Sequence, residues 1–440
     1  MNAHRPLRPL PVLLLLLLLL GLAVTVLAAA PARADETCQS PFLPKVTGQE
    51  DFIYVWTLGV KGVADGNDSL VTVDANPKSA SYGKIIHRAP VPGQHEAHHA
   101  GFTDDRRQIW AGGLDSSLIF VFDVAADPAR PKLVKTIKTF EKDTGGLVGP
   151  HTFYALPGRM LISALSNSKD NSGRTGLAEY TNAGKFIRTI WLPDEAPYGY
   201  DVRVNINLNR MLTSSFSGRK NYMRPVAELL ADAAAMKQFG DSVVVWDFHA
   251  RKPLQILRVP GAPLELRWAL QPNHHYAFTS TALTGQLVLI YQKDDGTWAT
   301  KNIAEIGATI PVDISIAPDD SKVYVNSYGD GTMRIYDVTN PHEGKLIQQI
   351  KLGEQANMIS TSWDGTRIYT TSSLLSKWDK PGDQWLKAFA WEDGKLVPKF
   401  TTDFNGVGRA HIMNFGARNL GARAEQPARD RLVRRSAEPR

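Results

Sequence analysis

From Phe52 onward, short β-branched or aromatic runs alternate with clusters of Gly, Asp, Asn and Pro. Phe52–Val60, Leu70–Asp74, Leu118–Asp123, Met160–Leu165, Val243–Asp247, Leu287–Tyr291, Lys322–Asn326 and Arg367–Thr371 are examples. Runs of this length, bounded by turn residues, predict an all-β protein built of hairpins. One stretch breaks the pattern: Val226–Phe239 carries Leu229, Leu230, Ala233, Met236 and Lys237 at helical spacing. It reads as a single short helical insertion between strands.

The runs also share a phrase. Ile119-Phe120-Val121-Phe122-Asp123-Val124, Val243-Val244-Val245-Trp246-Asp247-Phe248 and Met333-Arg334-Ile335-Tyr336-Asp337-Val338 each end a strand on an aromatic residue and Asp before a turn. Repetition of one four-stranded unit that buries its faces only against its neighbours is the logic of a β-propeller. A polar residue recurs where each innermost strand should start: His99, His151, Asp201, Glu265, Asp313, Asn357 and His411, at gaps of 52, 50, 64, 48, 44 and 54 residues. The long gap holds the helical insertion. Seven such positions predict a seven-bladed β-propeller whose polar side chains converge on one end of the central channel. Polar lining is also the general condition of such channels, so the carboxylates have a purely structural reading as water-binding groups.

Candidate chemistry gathers at Gln94-His95-Glu96-Ala97-His98-His99-Ala100-Gly101, which holds three of the chain's eleven histidines. With His151 and His411 it would form a histidine-rich metal centre. Neighbouring residues of a regular strand face opposite ways, so His98 and His99 reach one ion only across a bend or bulge, for which Ala100-Gly101 is the candidate. His87, His95 and the pair His274-His275 read as loop or surface histidines.

The ends change the picture. Arg5, Arg8, an apolar run from Val12 to Ala30 and Ala32-Arg33-Ala34 form the pattern of an export signal over residues 1–34, with a mature start at Asp35 and a periplasmic destination. The rival is an uncleaved anchor, because the run approaches the ~20 residues a span needs. Once the signal is removed, no stable membrane span is expected. The propeller is expected over 35–416, followed by a basic tail, 417–440, which lacks apolar periodicity and reads as disordered. The formal charge of +6 belongs to the signal and the tail, leaving a body near neutral, which argues against nucleic acid as a partner. Cys38 is the only cysteine, so no intramolecular disulfide can form.

Taken together, these residues resemble the selenium-binding protein family, whose bacterial members include methanethiol oxidases. The resemblance runs from about Cys38 to His411. Its specific pieces are Asp74-Ala75-Asn76-Pro77-Lys78-Ser79, Glu96-Ala97-His98-His99-Ala100-Gly101, Gly199-Tyr200-Asp201, Leu264-Glu265-Leu266-Arg267, Trp378-Asp379-Lys380 and Ala410-His411. The resemblance implies a copper site at His98, His99, His151 and His411. It also implies oxidation of methanethiol by dioxygen and water to formaldehyde, hydrogen sulfide and hydrogen peroxide. Cys38-Gln39-Ser40-Pro41 matches the family's Cys-x-Ser-Pro, whereas Ile412 stands where the family has an acidic residue.

Imidazole suits copper, and oxidation needs a centre that changes oxidation state, which zinc does not. Glu96, Glu265 or Asp313 would accept the thiol proton. Cys38 would act as a further ligand, a redox partner or a transient disulfide partner. The expected partners are therefore a small-molecule thiol and dioxygen, and a homo-oligomer is compatible with the pattern. Two other classes compete: a non-enzymatic periplasmic propeller that carries copper or selenium, and a calcium-dependent hydrolase using Asp201, Glu265, Asp313 and Asn357 as oxygen ligands.

Overall fold

The computed structural model describes residues 40–420 and the backbone of 424–425. The export signal, Cys38 and most of the basic tail lie outside the described residues. Seven four-stranded antiparallel sheets follow one another around a channel, as the seven polar positions predict. Blades 1 to 6 begin with the inner strands Ala97–Phe102, Leu147–Leu156, Val202–Asn205, Pro263–Trp268, Pro311–Ile316 and Ala356–Thr361, and each adds three strands outward in chain order. Blade 7 is composite. Its inner strand Arg409–Gly416 comes from the end of the chain and pairs with Phe52–Leu58, followed by Ser69–Asp74 and Ile85–Pro90. The ring is thus closed by hydrogen bonds between the two ends of the domain.

The inner strands are buried on both faces, which is why they lack the alternation that marks an amphipathic strand. Outer strands such as Lys132–Ile137 and Lys345–Lys351 are largely exposed. Apolar layers between blades supply the core, and indole groups lock neighbouring blades together. The Trp56 Nε1–H of blade 7 donates to Gly112 O of blade 1 at 2.9 Å, and that of Trp268 in blade 4 donates to Arg203 O of blade 3 at 3.2 Å.

The insertion lies between the second and third strands of blade 3. It is helical but broken into Arg219–Tyr222, Val226–Ala231 and Ala233–Met236. The break falls at Asp232, whose backbone is extended (φ −94°, ψ 96°) and whose carboxylate caps the last helix by accepting from Ala234 N and Ala235 N. Asp is better satisfied at such a cap than inside a helix, so one apolar stripe folds as two pieces. A further short helix, Phe140–Thr144, links blades 1 and 2. Among the described residues no helix is long and apolar enough to cross a membrane. The chain stays with the propeller beyond Gly416: Ala417 is buried, Arg418 N donates to Asp51, and 424–425 pairs with Lys45–Val46.

Candidate metal centre

Each of the four candidate ligands sits on an inner strand where the pairing slips by one residue. In blade 1, Ala97 faces Gly113 and Ala100 faces Ala111, so His98 and His99 together oppose a single residue. The bulge lets both rings turn to the same side, where their centroids lie 4.9 Å apart. It falls at the histidines themselves rather than at Ala100-Gly101. Gly101 serves another purpose, because a Cβ there would stand 2.0 Å from Phe153 O of blade 2. In blade 2, His151 and Thr152 oppose Ser163, and in blade 7, His411 and Ile412 oppose Trp56.

The four imidazoles form one cluster. Ring centroids are 4.0 Å apart for His98 and His411, 3.8 Å for His99 and His151, and 5.0 Å for His98 and His151. Ligating nitrogens of His98, His99 and His151 all lie within 4.8 Å of one another. Nδ1 of His98, Nε2 of His151 and Nε2 of His411 are buried and have no hydrogen-bond partner among the described residues. The opposite nitrogens are occupied. His151 Nδ1 lies 3.2 Å from Thr152 Oγ1, which itself donates to Asp201 Oδ1 at 2.9 Å. The hydroxyl must therefore accept from His151, which puts the ring proton on Nδ1 and the lone pair on Nε2. His411 Nδ1 meets Ser373 O at 3.0 Å, and His98 bonds the backbone of Leu374.

Burial sets the charge state. It pushes the His151 and His411 rings down to about 3 and those of His98 and His99 well below the usual histidine range. All four are neutral at physiological pH, the form that binds metals. Converging neutral imidazoles with orphaned lone pairs suit a transition-metal ion, and the far nitrogens already have the partners that orient such ligands.

The next layer of the channel is ionic. Arg203 binds Asp201 Oδ2 at 2.8 Å and Glu265 Oε2 at 2.9 Å, while Arg267 binds Glu265 Oε2 at 3.0 Å and Asp313 Oδ1 at 2.9 Å. The carboxylates also staple neighbouring blades. Asp201 accepts from its own neighbour Val202 N and from Leu266 N of blade 4, and Asp313 accepts from Ile314 N and from Ile359 N of blade 6. Committed to arginines and amides, these carboxylates have little capacity left for calcium. Burial nevertheless pushes Asp201 up to about 6 and Asp313 well above the usual range.

Of the candidate proton acceptors, Glu265 alone reaches the imidazoles, its Oε1 lying 3.7 Å from His99 Nε2. Asp313 sits behind Arg267. Glu96, at φ +61°, accepts from Ser376 N at 2.6 Å and Ser376 Oγ at 2.5 Å, clasping blade 1 to the loop after the second strand of blade 6; burial pushes it up to about 7. His87, His95 and His274 are engaged elsewhere, with Pro131 O, Pro92 O and Asp320 respectively. Cys38 lies outside the described residues. Ser40, in the same motif, donates to Ala155 O of the inner strand of blade 2 at 2.6 Å. Sequence reasoning missed Arg203, Arg267 and Thr152. The arginines had a signal, since each stands two residues after a channel carboxylate and so faces the channel one step deeper.

The fold and site define a seven-bladed propeller whose channel holds a cluster of buried imidazoles suited to a transition-metal ion. The chain matches the family described as 56kDa selenium binding protein (SBP56) over residues 32–408, and it belongs to that family. Among its relatives, the methanethiol oxidase of Ruegeria pomeroyi is 52% identical over 412 residues, covering 88% of this chain and 94% of the relative. A methanethiol oxidase of a Hyphomicrobium species is 51% identical over 402 residues, 88% of this chain and 92% of the relative. In fold, the chain is similar to a hypothetical selenium-binding protein from Sulfolobus tokodaii, with a TM-score of 0.77, 24% identity and coverage of 86% and 97% of the two chains.

Proposed function

We propose that this chain oxidises methanethiol with dioxygen and water to formaldehyde, hydrogen sulfide and hydrogen peroxide, using copper held by His98, His99, His151 and His411. The observation that carries the reading is the buried cluster of neutral imidazoles with three orphaned ring nitrogens, in a chain half identical to two bacterial methanethiol oxidases. Copper would supply the change of oxidation state that the reaction requires.

The chain's own residues do the rest. Thr152, Ser373 and the backbone of Leu374 hold the outer ring nitrogens so that the inner ones converge. Glu265 is the acceptor for the thiol proton, because its Oε1 has no hydrogen-bond partner among the described residues and lies 3.7 Å from His99 Nε2. Arg203 and Arg267 hold its other oxygen in place. Asp313 and Glu96 act as positioning groups through the contacts described above. Cys38 serves as a ligand, a redox partner or a transient disulfide partner of the substrate. Export through residues 1–34 would release the toxic products outside the cytosol.

The near-complete burial of the imidazoles also favours a second reading, a copper carrier that performs no chemistry. Turnover separates the two. Protein purified without chelator should contain copper and consume methanethiol and dioxygen over many cycles, whereas a carrier yields at most one equivalent of product per site. His151→Ala and His411→Ala should lose most of the metal while still folding. Full occupancy in both would place the site elsewhere.

A further inference from the structure

One side of the histidine cluster is apolar. A cavity of ≈ 20 Å³ opens against His98 and is walled by Leu114, Leu165, Phe216, Tyr222, Leu264 and Trp378. Its roof belongs to the insertion of blade 3: Phe216 begins it, Tyr222 ends its first helix and Leu230 lies in its second. The roof is anchored, since Trp378 Nε1–H donates to Tyr222 O at 3.0 Å and Phe216 packs edge-on against Tyr200 at 5.6 Å. Leu230 is 45% exposed and, with the half-buried Leu283 and Ile310, forms the rim.

This space is little larger than the ~10–15 Å³ that one water needs. It takes little more than one methyl group, with the sulfur left towards the imidazoles, and each further methylene must displace packed side chains. A thiol bearing a carboxylate or ammonium would bring an unpaired charge among leucines and aromatic rings. Dioxygen, small and apolar, meets no such penalty.

We propose that the insertion is the size filter of the centre: Phe216, Tyr222 and Leu230 close an apolar chamber over His98 that accepts the methyl group of a one-carbon thiol and turns away longer or charged thiols. The proposal rests on the oxidase reading but has a readout of its own. For copper-loaded wild type, Phe216→Leu and Leu230→Ala, two quantities are measured with methanethiol, ethanethiol and 1-propanethiol. One is kcat/KM, and the other is Kd, followed by the change each thiol causes in the optical spectrum of the metal.

Wild type should lose about tenfold or more per added methylene, the usual discrimination of a tight apolar pocket. Phe216→Leu should raise the propanethiol-to-methanethiol ratio at least tenfold, and Leu230→Ala, an exposed site with no core to empty, should move it the same way. Unchanged ratios in variants that keep their metal and bind methanethiol would overturn the filter, as would a wild type that binds all three thiols equally. Binding that favours methanethiol without any turnover would refute the oxidase reading and leave the filter standing.

Discussion

Thr152 shows how much a single hydroxyl decides. It links His151 to Asp201, and because its proton goes to the carboxylate, it can only accept from the ring. Thr152→Val keeps the shape and removes that constraint, leaving the backbone of Tyr200 as the remaining anchor of the ring, so the hold on His151 and its tautomer is loosened. Asp201 keeps Arg203 and two backbone amides, so blades 3 and 4 should stay joined. The expected result is a ten- to hundredfold loss of metal affinity with little loss of folding stability, measured by competitive titration against a chelator. Glu265→Gln tests the proposed proton acceptor differently. Metal content should hold while kcat falls by roughly 10²–10⁴, the usual worth of a positioned base; an unchanged kcat would remove Glu265 from that role. The clustered histidines were legible in the sequence because histidine is scarce and three of the four, His99, His151 and His411, stood at blade positions, with His98 beside the first. Thr152 was not, since a threonine inside a strand carries no mark of what its hydroxyl reaches.

At the scale of the strand, the site depends on bulges. Six of the seven inner strands slip register where the polar residue stands, Val202–Asn205 being regular. A bulge adds no characteristic residue, which is why the strand pattern could require one for His98 and His99 without locating it. Gly101 looked like the bend because glycine often is, but its work is to let the inner strands of blades 1 and 2 approach closely. Gly101→Ala should therefore push those strands apart, destabilising the fold by about 1–3 kcal/mol, as overpacking does, and weakening metal binding at the same time. A variant with unchanged melting temperature and metal affinity would show that the close approach is not needed. The helical insertion was visible from its stripe, but the stripe reads as one helix and does not show the break at Asp232. Its position over the histidines was not, because that depends on which channel end the blade 3 loop faces.

For the whole molecule, the blade count could be read from spacing because each blade repeats the same local problem of burying two sheet faces. Ring closure by Arg409–Gly416 and Phe52–Leu58 joins segments more than 350 residues apart, and only the topology reveals it. The proposed ligands straddle that closure. His411 belongs to the inner strand of blade 7, while His98, His99 and His151 belong to blades 1 and 2. A bound ion would thus tie the last blade to the first two. Anything that binds only the folded state stabilises it, by about 4 kcal/mol when free ligand stands a thousandfold above Kd. Metal removal should therefore lower the melting temperature by several degrees, and His411→Ala should lose most of that difference. The stabilisation should also be local. Amides of Phe52–Leu58, which exchange when the seam opens, should gain protection on metal binding, while those of blades 4 and 5, which supply no imidazole, should change little. Equal melting temperatures for metal-loaded and stripped protein would mean that the histidines hold no ion across the seam. Uniform protection around the ring would mean that the propeller opens as one unit and that closure is not its weak point.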